Sequence, residues 1–158
     1  MNADCFNDEK VNEKLKEVKK DTANTHYTII FDDGSTLTIE SKVLYSTSDS
    51  WIKSQTLKWG VLGMIDMASY TITAQWHKDP NPSRPDAVVY DYSWDDGRAR
   101  TPVEIILGGT RPVYTSGDYI KVTGSCKLRW KINNIPGQIT KNCEFKGYTG
   151  GYCVMNEI

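Results

Sequence analysis

The sequence predicts an all-β protein, an antiparallel β-sandwich or jelly-roll-like domain of about seven to nine strands with one short N-terminal α-helix. The chain has 158 residues, a length that suits one domain. From residue 26 on, apolar and polar residues alternate in runs that turn residues separate, and only one stretch before that point has a helical period. We therefore expect an N-terminal polar segment with a helix, residues 1–25, and a single β-rich domain, residues 26–158.

The helical stretch covers residues 8–21. Val11, Leu15 and Val18 recur at positions i, i+4 and i+7, which places them on one face of a helix. Charged residues fill most of the other positions. Because three apolar side chains form only a thin stripe, we expect this helix to dock at one edge of the domain or to fray.

The first strands are predicted around a tight turn. Residues 27–31 and 36–40 alternate on either side of Asp33-Gly34, which is the pattern of a β-hairpin. Residues 51–67 fit neither the helical nor the strand period, so we expect a bent strand or an apolar loop there.

The middle of the chain resumes the alternation. Residues 70–76 and 88–94 are predicted strands, and the proline-rich stretch between them, 77–86, is a predicted loop. The segment Asp95-Asp96-Gly97 reads as a second tight turn. Residues 103–107 then form a short apolar strand.

The longest alternation runs over residues 120–132. Pro136-Gly137 follows with the residues that a type II turn prefers, and residues 139–145 return antiparallel. Cys126 and Cys143 share the parity of the apolar residues, so both are predicted to face the core. A four-residue loop would set them opposite each other, whereas a two-residue Pro-Gly turn would not.

An even number of cysteines predicts disulfide bonds and an oxidising compartment. The candidates are Cys5, Cys126, Cys143 and Cys153. Sequence alone leaves all three pairings open, and free thiols or a metal site are the alternatives, although no C-x-x-C pair exists. No signal peptide is recognisable, so the secreted reading requires that a leader has been removed. A bacterial secreted or cell-surface protein fits these expectations.

Charge and motifs exclude several classes of protein. With 19 basic and 20 acidic residues the net charge is -1, which argues against a nucleic-acid binder. The longest charge-free apolar run, residues 59–65, is far shorter than the roughly 20 residues of a membrane-spanning helix. The sequence lacks G-x-S-x-G, H-E-x-x-H and P-loop motifs, and we expect no cofactor.

Acidic residues provide the only catalytic alternative. They cluster near predicted turns and comprise Asp32, Asp33, Asp91, Asp95 and Asp96. Paired carboxylates can hydrolyse glycosides, and acidic loops can collect calcium, but aspartates are also ordinary turn formers. Neither His26 nor His77 lies in a recognisable catalytic motif.

Aromatic residues are the most suggestive feature, because five Trp and nine Tyr exceed what one small core needs. Exposed Trp and Tyr side chains stack on sugar rings or anchor protein interfaces. We select Trp51, Trp59, Tyr92 and Trp94 as ligand-binding candidates. Further surface candidates are Tyr114, Tyr148 and Tyr152, whereas Tyr90, Trp76 and Trp130 alternate as core residues do.

Basic residues concentrate near the C-terminus. Residues 119–147 carry six basic side chains and one acidic side chain. Four of them share the outward parity of one strand and form a predicted basic stripe: Lys121, Lys127, Arg129 and Lys131. Such a stripe can bind an acidic glycan or an acidic partner, and lysines on exposed strands also prevent edge-to-edge aggregation.

Together these features predict a secreted or cell-surface, non-catalytic recognition module that binds a glycan or a protein surface. One alternative is a small glycan- or lipid-acting hydrolase that uses paired aspartates. Another is a toxin or immunity-type protein, in which the apolar segment 57–67 would insert or dock.

Overall fold

A computed structural model of the protein describes residues 3–17, 26–61 and 64–158. Within these ranges the chain forms one α-helix and ten β-strands. The elements are α1 Asp8–Glu17, β1 His26–Ile30, β2 Thr36–Ser46, β3 Ser50–Val61, β4 Met64–Lys78, β5 Val88–Ala99, β6 Val103–Tyr114, β7 Ser116–Gly117, β8 Tyr119–Ile132, β9 Ile135–Tyr148 and β10 Cys153–Glu157. Short 3-10 helices cover Asp4–Phe6 and Thr149–Gly151.

The strands form two antiparallel sheets. The first sheet has the order β1-β2-β3-β4-β5-β7, and the second has the order β10-β9-β8-β6. About 70% of the chain is strand, which confirms the prediction of an all-β, sandwich-like fold with one short N-terminal helix. The ten strands slightly exceed the predicted number, because the ambiguous stretch 51–67 contributes β3 and because the short strands β7 and β10 were not predicted.

The core lies where large side chains of the first sheet meet glycines of the second. A Cβ atom at Gly147 would lie 2.7 Å from the Trp76 indole, and one at Gly124 would collide with the Tyr70 hydroxyl and lie 2.9 Å from Ile72 Cδ1. All three partners are completely buried. Glycine is therefore required at these two positions for the sheets to approach each other.

The N-terminal segment is built into this core. Cys5 and Val11 are completely buried and Phe6 nearly so. The backbone N–H of Asp4 donates to Asp33 Oδ2 at 2.7 Å, and that of Cys5 donates to Ser35 Oγ at 3.0 Å, so the β1–β2 turn holds the segment. The described helix ends at Glu17, and the rest of the predicted helix, 18–21, lies outside the described residues.

A buried ion pair fastens the same segment to the second sheet. Lys141, on β9, is 1% exposed, and its Nζ donates to the Phe6 carbonyl at 2.9 Å and to Asp8 Oδ1 at 3.0 Å. It also approaches Glu157 Oε2 at 3.5 Å. Glu157 Oε1 accepts a hydrogen bond from Trp59 Nε1 at 3.1 Å. Both buried charges therefore have partners, as burial requires.

Two predicted turns are wrong. The β8–β9 hairpin turns at Asn133-Asn134, not at Pro136-Gly137, and both asparagines have positive φ, 51° and 63°. Asparagine tolerates this region because its short side chain bonds locally, so the pair forms a two-residue hairpin turn. Residues 95–97 continue β5 instead of turning, since Asp95 pairs with Ile72 across the sheet.

The disulfide prediction is also wrong, because all four cysteines are free and buried. The Asn-Asn turn sets Cys126 opposite Lys141 and Cys143 opposite Gly124, so the two cysteines are diagonal neighbours. Diagonal residues lie about 7–8 Å apart, whereas a disulfide needs Cβ atoms about 3.5–4.5 Å apart. The cysteines therefore give no argument for an oxidising compartment.

The other two thiols make hydrogen bonds. Cys5 Sγ donates to the Gly60 carbonyl at 3.6 Å, and Cys153 Sγ accepts from Gln55 Nε2 at 3.1 Å. Burial raises the pKa of Cys5 and of Cys126 to about 12, and it also raises the pKa of Cys143 and Cys153. These thiols are packing groups with little thiolate character at neutral pH.

Candidate functional site

The outer face of the first sheet carries a row of aromatic and amide side chains. Register places Tyr92 of β5 opposite Gln75 of β4, Gln75 opposite Ile52 of β3, and Ile52 opposite Tyr45 of β2. Residues opposite each other in a sheet share a face, and so do residues two apart on one strand. We call the set Tyr45, Ile52, Gln75, Tyr92 and Trp94 the aromatic platform.

Tyr92 and Trp94 are the exposed part of this platform. Their side chains are 59% and 38% exposed, and the ring centroids lie 5.3 Å apart with the planes tilted by 39°. Thr73, opposite Trp94, is buried. Tyr45 is also exposed, and three strand spacings of about 4.8 Å place it roughly 14 Å from Tyr92 across the sheet.

Hydroxyl groups cover the same face beside the platform. Thr56 and Thr71 share a hydrogen bond of 2.7 Å between their hydroxyls, and Thr28 and Thr38 share one of 3.1 Å. Beside the aromatic rings this face therefore carries short polar side chains, together with an ion pair in which Lys58 Nζ lies 3.0 Å from Glu40 Oε1.

Trp51 and Trp59, predicted as exposed ligand-binding residues, are 1% and 0% exposed, so that prediction is wrong. Both share the inward parity of Leu57 on β3. The Trp51 ring lies 5.9 Å from that of Trp76, and Trp59 donates to Glu157. The alternation of β3 was hidden because the polar residues Lys53 and Gln55 also occupy inward positions of this strand.

The basic stripe is confirmed as a surface of β8, on the outer face of the second sheet. Lys121, Lys127 and Arg129 alternate there with buried residues, and Lys131 follows with the same parity between the half-buried Trp130 and the exposed Ile132. Two acidic neighbours reduce its charge: Lys121 pairs with Glu144 at 2.7 Å, and Arg129 pairs with Glu104 at 3.2 Å. The hydrogen bond to Glu144 raises the pKa of Lys121. The stripe and the aromatic platform lie on opposite outer faces, so they do not form one site.

A row of tyrosines crosses one end of the same face. Tyr114, Tyr119, Tyr148 and Tyr152 follow one another with centroid distances of 5.6, 5.4 and 5.3 Å. Lys121 Nζ lies 5.2 Å from the Tyr114 ring centroid, a cation–π distance. Three of these tyrosines were predicted as surface candidates. Tyr119 was missed, since only strand pairing reveals its neighbours.

A cleft of about 880 Å³ opens at the other end of the second sheet, and we call it the Trp130 cleft. Its lining comes from the β5–β6 turn, β6, β8 and β9: Thr101, Pro102, Val103, Glu104, Arg129, Trp130, Lys131, Pro136, Gly137 and Gln138. Trp130 was predicted as core. It is half-buried, with its ring stacked 6.4 Å from that of Phe6. Two predicted site residues, Arg129 and Lys131, belong to the same lining, but their side chains point to the outer face of β8, opposite to the indole.

The aspartates do not form a catalytic pair. Asp95 faces inward and accepts a hydrogen bond of 2.8 Å from the Tyr70 hydroxyl, whose pKa is raised by burial and by this carboxylate. Asp96 is exposed on the other face of the strand. Asp33 accepts hydrogen bonds from Ser35, and the hydroxyl of that residue lowers the Asp33 pKa. These aspartates organise a turn and a strand contact.

The two histidines each form an ion pair at the surface. His77 Nδ1 lies 2.8 Å from Asp91 Oδ1, and His26 lies 3.4 Å from Glu40. In the part of the chain that the structure describes, no group of three or more His, Cys, Asp or Glu side chains could hold a metal ion. No described helix is long and apolar enough to cross a membrane. Leu57 and Trp59, in the segment predicted to insert in a toxin, are completely buried.

The fold and these surfaces define the class of protein as a two-sheet antiparallel β-domain. Its first sheet carries the aromatic platform on the outer face, and its second sheet carries the basic stripe. No family model, curated protein or solved structure matches the chain. The function is therefore argued from the surfaces alone.

Proposed function

We propose that the protein is a non-catalytic recognition module, secreted or displayed at a cell surface, and that it binds a glycan through the aromatic platform. The observation that carries this proposal is the exposed Tyr92–Trp94 pair, with rings 5.3 Å apart, on a sheet face of hydroxyl and amide side chains. The secreted or cell-surface location is part of this proposal, and the only support for it is the proposed glycan ligand.

Sugar rings match this surface in two ways. The C–H bonds of a pyranose ring make its faces apolar, so they gain by covering a Tyr or Trp ring that water would otherwise hydrate. The hydroxyls around the rim need hydrogen-bond partners, and Gln75 lies directly opposite Tyr92 to offer an amide. Tyr45, roughly 14 Å away across three strand spacings, provides a further ring for an extended chain.

The alternative ligand of this platform is a protein surface, since Tyr and Trp are also enriched at interface hot spots. The basic stripe lies on the opposite face, and we assign it no part in this site. A glycan that binds the platform therefore need not be acidic, and neutral polysaccharides are the first ligands to test.

Affinity gel electrophoresis with soluble β-glucan, xylan, galactomannan and polygalacturonate tests the proposal. We expect at least one polysaccharide to retard the wild-type protein. Tyr92→Ala and Trp94→Ala should each weaken that binding by about tenfold or more, which is ~1.4 kcal/mol, because each removes one stacking ring. Tyr114→Ala is the matched control, because Tyr114 is an exposed tyrosine on the other sheet.

Two results would overturn the glycan proposal. One is an unchanged mobility in all four polysaccharides. The other is equal retardation of the wild type and the two platform variants, since binding would then occur elsewhere. Far-UV circular dichroism and thermal unfolding should show that each variant keeps the wild-type fold.

A further inference from the structure

We propose that the outer face of the second sheet binds an acidic polysaccharide at the end that carries the tyrosine row. This site is separate from the aromatic platform, because the core lies between the two outer faces. The ligand of the platform need not be acidic, whereas this face selects negative charge together with sugar rings.

Two lysines form the charged centre of this face. Lys121 of β8 lies opposite Lys146 of β9, and residues opposite each other in a sheet share a face. Each ammonium lies over a ring: Lys121 Nζ is 5.2 Å from the Tyr114 centroid, and Lys146 Nζ is 5.0 Å from the Tyr119 centroid. These contacts restrain both cations before a ligand arrives, so less side-chain entropy is lost on binding.

The face keeps a net positive charge. Glu144 Oε1 serves both lysines, at 2.7 Å from Lys121 Nζ and 4.0 Å from Lys146 Nζ, and one carboxylate leaves one of the two positive charges uncompensated. Arg111 of β6, which lies opposite Thr123, adds a further positive charge to the same face. Its guanidinium makes no ion pair or hydrogen bond with the described residues, and it offers five donors.

The tyrosine row provides the surface for sugar rings. Tyr119 and Tyr148 lie opposite each other with centroids 5.4 Å apart, and the exposed Tyr114 lies 5.6 Å from Tyr119. Among the described residues the hydroxyls of these three tyrosines make no hydrogen bond, so each can bond to a sugar hydroxyl. The apolar faces of pyranose rings can pack on such side chains.

A polar depression of about 360 Å³ adjoins the row along β8. Thr123, which lines it, is two residues from Lys121, or roughly 7 Å along the strand. Gly108 leaves the floor bare, because a Cβ atom there would collide with the Ser125 hydroxyl. The side chains of Ser125 and Asn142 also line the depression and make no hydrogen bond within the described residues, so a polymer on the row would find further polar partners here.

An acidic polysaccharide combines the three chemistries of this face. Its carboxylates or sulfates accept from the lysines and the arginine, its ring faces pack on the tyrosines, and its hydroxyls bond to the serine and the asparagine. A polyanion without sugar rings meets only the first of these requirements. Poly-L-glutamate is therefore the probe that separates recognition of a sugar from attraction by charge.

Matched polymers test the ligand class. Polygalacturonate carries carboxylates and dextran sulfate carries sulfates, and their uncharged counterparts are methyl-esterified polygalacturonate and dextran. Microscale thermophoresis at about 0.15 M ionic strength measures binding where charges are screened beyond roughly 8 Å. We expect at least one acidic polysaccharide to bind, and the one that binds identifies the acidic group. Its uncharged counterpart and poly-L-glutamate should bind at least about tenfold more weakly.

Matched variants localise the binding. Arg111→Gln and Lys146→Gln should each raise the dissociation constant by about threefold or more, because each loses one exposed ion pair, and the double variant by about tenfold. Tyr119→Ala should raise it by about tenfold, whereas Tyr119→Phe, which keeps the ring, should stay within about threefold of the wild type. Lys42→Gln is the control, because it removes the same charge from an exposed position of β2 on the first sheet.

Four outcomes would overturn the proposal. Neither acidic polysaccharide could bind up to about 10 mM of acidic groups, a concentration at which even weak sites fill. Poly-L-glutamate could bind as tightly as the polysaccharide, the Arg111→Gln/Lys146→Gln variant could bind as Lys42→Gln does, or Tyr119→Ala could bind as the wild type does. Far-UV circular dichroism should show that each variant keeps the fold. Trp94→Ala should leave binding of the acidic polysaccharide unchanged, so failure of the platform and failure of this face are distinguishable.

Discussion

Replacing Lys141 with methionine tests how the buried ion pair contributes to stability. The ammonium is 1% exposed and contacts Glu157, Asp8 and the Phe6 carbonyl. Methionine keeps much of the volume and removes the charge, so Glu157 is left buried without its counter-ion. Breaking a buried pair in this way costs about 3–5 kcal/mol. For a domain of this size 1 kcal/mol shifts the melting temperature by about 2–4 °C, so we expect a fall of about 6–20 °C.

The pH dependence of this loss identifies its cause. Burial raises the pKa of Glu157 above its ordinary value of 4.5, and Lys141 opposes that rise. Between the unfolded and the folded pKa the folded protein binds more protons, so its stability falls as the pH rises. In Lys141→Met the folded pKa of Glu157 is higher still. The loss relative to wild type should therefore be small at acid pH, where Glu157 is protonated in both states, and largest at neutral pH and above.

Chemical denaturation at several pH values measures this loss. Adding Glu157→Gln to Lys141→Met should recover stability at pH 7, because the buried carboxylate is gone and the amide oxygen can still accept from Trp59. Lys127→Met, an exchange on the neighbouring strand, should change stability by less than about 0.5 kcal/mol. The reasoning is refuted if Lys141→Met costs less than about 1 kcal/mol, or if its cost is the same at every pH.

Two further predictions test the core. Gly124→Ala should destabilise the protein by about 1–3 kcal/mol in chemical denaturation, since the added methyl collides with the Tyr70 hydroxyl; an unchanged midpoint would contradict the close approach of the sheets. All four cysteines should resist alkylation at pH 8 in the folded protein and react completely in denaturant, with no mass change on reduction, because burial raises their pKa values. If the mass of the protein increased on reduction by the two hydrogen atoms of one reduced disulfide, the disulfide prediction would be restored.

The sequence was sufficient to predict seven of the ten strands of the described residues, and also which side chains of β8 face outward. Its polar and apolar residues alternate without interruption from Tyr119 to Arg129, so parity predicts Lys121 and Lys127 as outward-facing. The same rule failed on β3, where Lys53 and Gln55 occupy inward positions between Trp51 and Leu57. When polar residues are buried with partners, the strand no longer shows the alternation of apolar and polar residues on which the prediction depends.

The register of the β8–β9 hairpin was beyond local reasoning. Pro136-Gly137 is a stronger turn signal than Asn133-Asn134, yet Gly137 serves a packing role beneath Trp130. A shift of register changes which residues are opposite each other. The observed register places Cys126 and Cys143 diagonally instead of opposite each other, so they do not form a disulfide bond. Lys141 illustrates the same limit, since nothing local to β9 shows that Phe6 and Asp8 return to cover it.

The assignment of strands to sheets decides whether the predicted binding residues can act together. Parity shows that Trp94 and Arg129 both face outward, but only the sheet order places one on the first sheet and the other on the second, with the core between them. Changes at sites that are far apart and share no partners have nearly additive effects on free energy. A ligand that binds the aromatic platform would therefore leave the basic stripe accessible.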